Sequence, residues 1–221
     1  LSHPRSGHDE QGNDLLDLRY TLDATDPIAT SSAYDGPLVL DATTTVRVQA
    51  WRDDQPLSPI AERRFERVEP LAAVRLAAPT HGLLNCAHYE GTWDRLPRFN
   101  TLTPTRTDQP AGLTLDTRTR DEHIAQAFTG YLYVKADAVY QFALSSDDGS
   151  RLSFHDRLVI DNDGLHATEE KSATIALSAG YHPIRVEYFN RSGGHSLSLR
   201  GEMVGLPLVD IPARAFAVEG P

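Results

Sequence analysis

The sequence predicts an all-β protein built from two antiparallel β-sandwich domains. Apolar residues recur at every second position in six segments, the pattern of half-buried strands: residues 18–22, 46–50, 140–144, 173–177, 184–188 and 197–199. Clusters of Gly, Pro, Asp, Asn and Ser separate these segments, as is typical of antiparallel sheets. No segment keeps a period of about 3.6 residues over about three turns, so a helical fold is excluded.

The first domain is predicted from two strands and the turn between them. Apolar residues alternate in DLRYTLD, residues 17–23, and β-branched residues dominate ATTTVRV, residues 42–48. Pro37 closes the intervening DGP turn by fixing φ. The second domain is predicted from the alternation in VYQFALS, SATIALS, IRVEYF and SLSLR, with the turns DDGS, DNDG, SAGYHP and NRSGG among them.

Composition narrows the function classes. The chain has 221 residues, is 40% hydrophobic and carries a formal net charge of −10, and its longest basic block is Arg63–Arg64. Nucleic-acid binding needs clustered cations and is therefore excluded. The chain shows neither a long uninterrupted apolar run nor a basic stretch followed by an apolar one at its start, so we expect no membrane span, membrane partner or signal peptide. The single cysteine, Cys86, is expected to be a small buried thiol.

A domain boundary is predicted near Pro70. The segment VEPLAAVRLAAPT, residues 68–80, carries two prolines and many small residues between blocks of different character, which is typical of a linker followed by an entering strand. This gives domains at 1–69 and 70–221. The stretch LAAVRLAA, residues 71–78, could alternatively form one or two helical turns.

Motifs in the first domain carry a family resemblance. RYTLD at 19–23, YDGP at 34–37 and TTTVR at 43–47 are similar to the β-sandwich appended to the C-terminus of chitobiases and β-hexosaminidases. The resemblance covers roughly residues 17–68 and implies a small immunoglobulin-like accessory module without catalytic residues. Residues 1–14 are polar and depart from the pattern, so we expect the opening strand to be incomplete or this segment to be disordered.

The second domain resembles a PA14 domain, a β-sandwich found in glycosidases and adhesins. Six segments match in order: residues 89–93, 128–133, 145–152, 158–166, 179–189 and 211–216. The resemblance runs from about Gly82 to Phe216. It implies a PA14-type antiparallel sandwich or barrel that follows the immunoglobulin-like module.

The run SSDDGS, residues 145–150, contains the candidate metal ligands Asp147 and Asp148. In sugar-binding PA14 domains, two consecutive aspartates joined by a cis peptide bond hold one Ca²⁺, which then binds sugar hydroxyls. Ca²⁺ takes roughly six to eight oxygen ligands, and a cation between the two carboxylates offsets their repulsion. Alternatively, Asp147, Asp148 and Gly149 form only a hairpin turn, in which aspartate caps amides and Gly149 takes a positive φ.

Two further loops are candidates for the same pocket. In IDNDGLH, residues 160–166, Asp161 and His166 are expected to line the pocket, or the loop is purely structural. In YFNRSGGHS, residues 188–196, the resemblance implies that Asn190 contributes to the metal. The adjoining Arg191, Gly193 and Gly194 are expected to bind the ligand, or they belong to an ordinary loop connection.

No enzymatic motif stands out. The chain lacks the Gly-x-Ser-x-Gly elbow, the HExxH pair and the phosphate-binding loops, and no carboxylate pair is marked out among its 31 acidic residues. We expect a non-catalytic, carbohydrate-binding accessory region of a larger bacterial glycoside hydrolase of hexosaminidase type, located outside the cytoplasm. Its expected cofactor is calcium, and its partners are carbohydrate and the parent catalytic domain. The alternative is a structural module that packs against that catalytic domain without binding sugar.

Overall fold

The computed structural model describes residues 17–220 and shows an all-β protein. Contacts divide the chain into two compact units, with the division between Val68 and Glu69. The expectation of disorder in residues 1–14 lies outside the described residues. Within residues 17–220, no helix is long and apolar enough to cross a membrane.

The described strands of the first unit form one antiparallel sheet. They are β1 (Asp17–Thr21), β2 (Ser32–Ala33), β3 (Thr44–Arg52), β4 (Gln55–Pro56) and β5 (Ala61–Phe65). The order is β2-β1-β3-β4, and β5 pairs with β3. The β-branched segment predicted as a strand supplies the central strand, β3. Arg47 on β3 bonds Glu62 on β5 with an N–O distance of 2.7 Å and also pairs with Asp26.

The second unit has twelve described strands and two short 3₁₀ helices. The strands are β6 (Pro79–His81), β7 (Asn85–Glu90), β8 (Arg106–Asp108), β9 (Ile124–Val134), β10 (Ala138–Asp147), β11 (Ser150–Phe154), β12 (Arg157–Asn162), β13 (Glu169–Leu177), β14 (Gly180–Asn190), β15 (Ser196–Met203), β16 (Val209–Asp210) and β17 (Phe216–Glu219). The 3₁₀ helices are Phe99–Thr101 and Ala213–Ala215.

These strands form two antiparallel sheets that enclose an apolar core. One sheet has four strands in the order β13-β10-β15-β16, and the other has eight, with β12-β11-β14-β9-β17-β6 as its main path and β7 and β8 extending from β9. Phe142 from the first sheet and Phe154 from the second lie in contact, with ring centroids 5.0 Å apart. Alternation places Leu144, Leu152 and Val186 in the same buried cluster. The prediction of antiparallel all-β structure is confirmed.

The segment after the boundary is extended. Leu71 forms a single parallel bridge with Leu177, and Val74 forms an antiparallel bridge with Tyr181. Hydrogen bonds from Leu71 N to Ala176 O and from Val74 N to Tyr181 O, at 2.9 and 2.8 Å, satisfy backbone groups that a helix would have paired internally. The helical alternative for LAAVRLAA is therefore wrong.

Candidate functional site

The adjacent aspartates lie where the chain passes from one sheet to the other. Strand β10 ends at Asp147 in the four-stranded sheet, and β11 begins at Ser150 in the eight-stranded sheet. Because β10 and β11 do not pair with each other, the hairpin interpretation of Asp147-Asp148-Gly149 is wrong. The peptide bond between Asp147 and Asp148 is cis, which is the geometry that the PA14 resemblance implies.

Gly149 is required by close packing. It is absent from the glycines with positive φ, so this part of the hairpin interpretation is wrong as well. A Cβ built on Gly149 would lie 2.6 Å from Phe189 Cε1 and 2.7 Å from Gly164 N. The absence of a side chain therefore lets the crossover approach both β14 and the loop after β12.

Asp148 ties three segments together through its carboxylate. The residue is 6% exposed. Oδ1 accepts a hydrogen bond from His166 N at 3.1 Å, and Oδ2 accepts one from Arg191 N at 3.0 Å. Each ionised carboxylate oxygen has more than one lone pair, so both oxygens can also bind a cation.

Asp147 has a different environment. Its backbone carbonyl accepts a hydrogen bond from the Tyr188 hydroxyl at 2.6 Å. Within residues 17–220, its half-buried carboxylate receives no hydrogen bond, and Oδ2 lies 3.1 Å from a Cβ built on Gly194. The carboxylate of Asp147 therefore faces the loop after β14 with its oxygens available. Burial raises the pKa of the Tyr188 hydroxyl, and the negative charges of both aspartates also reach this hydroxyl, because they raise its pKa beyond the increase that burial causes.

Asn190 supplies a buried oxygen one residue before Arg191, whose amide bonds Asp148. It ends β14, is fully buried, and donates Nδ2–H to Asp121 O at 2.7 Å. This bond fixes the orientation of the amide. Its Oδ1 is buried without a hydrogen-bond partner among the described residues. Such an orphaned oxygen is costly unless something binds it.

The three oxygen-bearing side chains therefore fit a calcium ion. Asp147, Asp148 and Asn190 offer two carboxylates and one amide oxygen, which are the hard ligands that Ca²⁺ prefers. They leave some of its roughly six to eight ligand positions for water or for hydroxyls of a bound molecule. The orphaned Oδ1 of Asn190 is the feature of the fold that a cation would satisfy.

The loop IDNDGLH is placed against this site through its backbone. Asp161 accepts a hydrogen bond from Arg151 Nε at 3.0 Å, and this bond lowers the pKa of Asp161 more than burial raises it. The His166 ring lies close to two carbonyl oxygens, with Nε2 3.0 Å from Asn162 O and Nδ1 2.9 Å from Ala167 O. Burial lowers the pKa of His166, but the two carbonyls together with the charges of Glu169 and Asp148 outweigh burial, so the pKa is raised. His166 thus reaches Asp148 through its amide, while its ring and Asp161 are engaged elsewhere.

The loop after β14 closes the other side of the site. Arg191 donates its amide to Asp148, and its guanidinium pairs with Asp94. Gly193 has φ of 87°, a conformation that favours glycine, and its N–H donates to Glu122 Oε1 at 2.9 Å. Gly194 lies against Asp147, as its built Cβ shows. The structure therefore brings together Asp147, Asp148, Asn190, Arg191 and both glycines.

Three acidic residues of this region were not predicted from the sequence. Asp94, Asp121 and Glu122 contact Arg191, Asn190 and Gly193 respectively. They are separated from their partners by about 70 residues or more, so no local pattern marks them. Their role is visible only once β9 and β14 pair, with Ile124 opposite Asn190.

A family match falls within the second unit. The PA14 domain family matches residues 101–207. Residues 101–207 form a PA14 domain. A second family, Fn3 associated, matches residues 9–65. The chitobiase-type assignment of the first domain stays a prediction.

One curated protein is similar to this chain in sequence, and several solved structures are similar to it in fold. A β-hexosaminidase of Porphyromonas gingivalis is 25% identical over 180 residues, which are 77% of this chain and 22% of that protein. The chain thus spans less than a quarter of this relative's length. Two solved structures are similar in fold to about two thirds of this chain. A PA14 sugar-binding domain from an RTX adhesin has a TM-score of 0.53 at 14% identity and covers 64% of this chain and 100% of its own. The Epithelial Adhesin 9 A domain from Candida glabrata, solved with Galβ1-4GlcNAc, has a TM-score of 0.52 at 12% identity. The match covers 66% of this chain and 93% of that domain.

Proposed function

We propose that this chain is a non-catalytic, glycan-binding region of a larger secreted bacterial glycoside hydrolase of hexosaminidase type, and that glycan binds through Ca²⁺ at Asp147, Asp148 and Asn190. The sugar-binding class is supported by the names of the RTX adhesin and Candida glabrata domains that share the PA14 fold. The parent enzyme class is supported by the similarity to a β-hexosaminidase.

The observation that supports the calcium proposal is that two side-chain oxygen acceptors at the sheet crossover lack a hydrogen-bond donor among the described residues. Asn190 Oδ1 is buried without a partner, and the Asp147 carboxylate receives no hydrogen bond in the described part of the chain. Asp148 adds a second negative charge a single residue away. A bound Ca²⁺ would supply positive charge and open coordination positions that accept sugar hydroxyl oxygens.

The residues around the proposed calcium site determine how a glycan can approach it. Arg191 is held by Asp94 at the rim, and the exposed Gly193 and Gly194 leave the approach to Asp147 free of side chains. A shallow contact of this kind buries little surface, so we expect a dissociation constant of about 1 mM, which corresponds to a binding free energy of about −4 kcal/mol. Attachment to a catalytic domain would make this affinity useful by raising the effective concentration of polymer near the enzyme.

The sharpest test is Asp147→Asn, because this change removes one charge without removing a described side-chain hydrogen bond. Calorimetric titration with Galβ1-4GlcNAc and with single amino sugars would be run with calcium and with chelator. The proposal predicts sugar-dependent heat with calcium that disappears with chelator and in Asp147→Asn. The control is Asp156→Asn, an exposed residue in the turn at the other end of β11, where Asn tolerates φ of 62°. Equal sugar binding with and without calcium would refute the metal-dependent mechanism.

A structural role is the second candidate, since Asp148 already joins the crossover to two loops through backbone amides. In that case the chain would pack against its catalytic domain without recognising free sugar. Thermal stabilisation by calcium with no response to any sugar in the panel would favour this function.

A further inference from the structure

A second group of metal-ligating side chains lies at the edge of the eight-stranded sheet, and none of its residues belongs to the crossover site. Cys86 and His88 are two positions apart on β7, so they project from the same face. Asp108 on β8 pairs with Cys86, and Gln126 on β9 pairs with His88. Directly opposed residues share a face, so four polar side chains converge across three neighbouring strands.

The ligand atoms are close enough to share one ion. One ligand atom each from Cys86, His88 and Asp108 lie within 4.8 Å of one another. His88 Nε2 is 3.0 Å from Asp108 Oδ1. Ligands of a tetrahedral zinc ion lie about 3.3–3.6 Å apart, so small side-chain movements would suffice. Cys86 and His88 are 1% and 2% exposed, whereas the side chain of Asp108 is 19% exposed and provides a route from solvent.

The hydrogen bonding of this cluster is incomplete without an ion. Gln126 is 1% exposed, and its Nε2 lies 3.5 Å from Cys86 Sγ and 3.4 Å from His88 Nδ1. Its Oε1 is buried with no partner among residues 17–220. A neutral imidazole has one N–H, and if His88 donates it from Nε2 to Asp108, no N–H remains for Gln126 Oε1. If the Gln126 amide turned by 180°, Oε1 would face His88 Nδ1. The tautomer of His88 that carries its proton on Nδ1 would then donate to Oε1.

We propose that Cys86 Sγ, His88 Nε2 and Asp108 Oδ1 bind a transition-metal ion of the Zn²⁺ class, and that Gln126 orients the imidazole by accepting Nδ1–H. Thiolate and imidazole ligands select zinc-like ions over Ca²⁺ and Mg²⁺. A carbonyl acceptor on the far nitrogen is the usual way in which a metal-binding histidine is held. Arg106 pairs with Asp108 Oδ2 and so leaves Oδ1 for the ion.

Binding has a defined proton balance. A cysteine thiol is mostly protonated at neutral pH, and burial of Cys86 favours the protonated form further. The ion forms a bond to sulfur as the S–H bond breaks, and that proton passes to the buffer. His88 keeps its proton, which moves from Nε2 to Nδ1. One proton is released per ion, and the affinity should rise about tenfold for each unit of pH.

Cobalt titration of the full chain tests the site, because Co²⁺ bound to a thiolate absorbs through sulfur-to-metal charge transfer. Cys86 is the single cysteine in the sequence, so this absorption can arise from no other residue. We expect saturation at one ion per chain, displacement by Zn²⁺, no displacement by Ca²⁺, and loss of the band in Cys86→Ser. The matched control Asp116→Asn, at an exposed aspartate, should bind as the parent chain does. No charge-transfer band at a large excess of Co²⁺ would overturn the proposal.

A second measurement needs no variant and so remains decisive if Cys86→Ser fails to fold. The rate at which iodoacetamide labels the single cysteine would be compared with and without Zn²⁺. We expect Zn²⁺ to slow labelling in proportion to the occupied fraction, more strongly at higher pH. A labelling rate unchanged by Zn²⁺ would show that the four side chains form only a hydrogen-bonded cluster. Neither measurement involves sugar or calcium, so the result is independent of the function proposed above.

Discussion

Replacing either of the two adjacent aspartates by asparagine should weaken calcium binding, but the two substitutions should differ in their effect on stability. In chelator, Asp148→Asn is expected to destabilise the second unit, while Asp147→Asn is expected to leave its stability nearly unchanged. The reason is that Asp148 accepts hydrogen bonds from two backbone amides, at 3.1 and 3.0 Å, whereas the carboxylate of Asp147 receives none in the described chain.

The magnitude follows from these contacts. In Asp148→Asn one amide keeps an oxygen acceptor, but the other faces an NH₂ group. Leaving a buried donor unpaired and losing a charge-assisted bond costs about 3 kcal/mol in total. For a unit of this size the loss corresponds to a decrease in Tm of about 6–12 °C. Asp147→Asn removes a like charge beside Asp148 and should change the free energy of unfolding by less than about 0.5 kcal/mol.

Urea unfolding followed by far-ultraviolet circular dichroism, with chelator and with excess calcium, would measure both effects. Calcium at about a hundredfold excess over its dissociation constant should stabilise the parent chain by about 2.7 kcal/mol. Asp147→Asn should lose most of this gain while matching the parent chain in chelator. Equal destabilisation by the two substitutions in chelator would refute the division of roles between the aspartates. Full calcium stabilisation of Asp147→Asn would remove Asp147 from the proposed site.

Two further predictions concern packing and pH. Gly149→Ala should destabilise the second unit by about 3 kcal/mol, measured by urea unfolding, because its Cβ would lie 2.6 Å from Phe189 and 2.7 Å from the backbone of Gly164; a change below about 0.5 kcal/mol would contradict this packing. Burial and the charge of His155 lower the pKa of His182, although the bond to Ser178 O opposes this shift. The unfolded chain therefore binds a proton more readily than the folded chain does. As a result, the contribution of His182 to stability is complete above its ordinary pKa of 6.5 and declines as the pH falls below that value. Unfolding at a series of pH values should show that His182→Gln removes a slope of up to about 1.4 kcal/mol per pH unit, and an unchanged slope would contradict it.

The strands could be predicted because their signal is local. The alternating segments around Tyr140, Ile175 and Ile184 lie in β10, β13 and β14, with their apolar members facing the core. Pairing was not predictable at the same level, because β10 and β11 are separated by two residues and yet enter different sheets. Strand β11 pairs with its neighbour in sequence, β12, and also with β14, which lies about 35 residues later. No pattern within DDGS predicts the pairing with β14.

The chain contains the same dipeptide in two different roles. Asp53 and Asp54 connect β3 to β4, with φ of 48° and 59°, as the two central residues of a tight hairpin in which Arg52 pairs with Gln55. Asp147 and Asp148 connect two sheets through a cis peptide bond instead. Local turn chemistry therefore describes the first pair correctly and fails for the second, because the second is determined by distant strands. The family resemblance predicted the cis peptide bond, whereas local turn chemistry did not predict it.

The crossover also explains why oxygen ligands collect there. A chain that leaves one sheet for another cannot continue either ladder, so nearby amides must find side-chain acceptors. Asp148 meets this need for His166 N and Arg191 N. Asn190 Nδ2 likewise satisfies the carbonyl of Asp121. Once these backbone groups are paired, the carboxylate of Asp147 and the Oδ1 of Asn190 remain without a hydrogen-bond donor among residues 17–220. A divalent cation completes such a set where another hydrogen-bond donor is lacking, so the requirements of the sheet crossover and of the proposed calcium site are met by the same few residues.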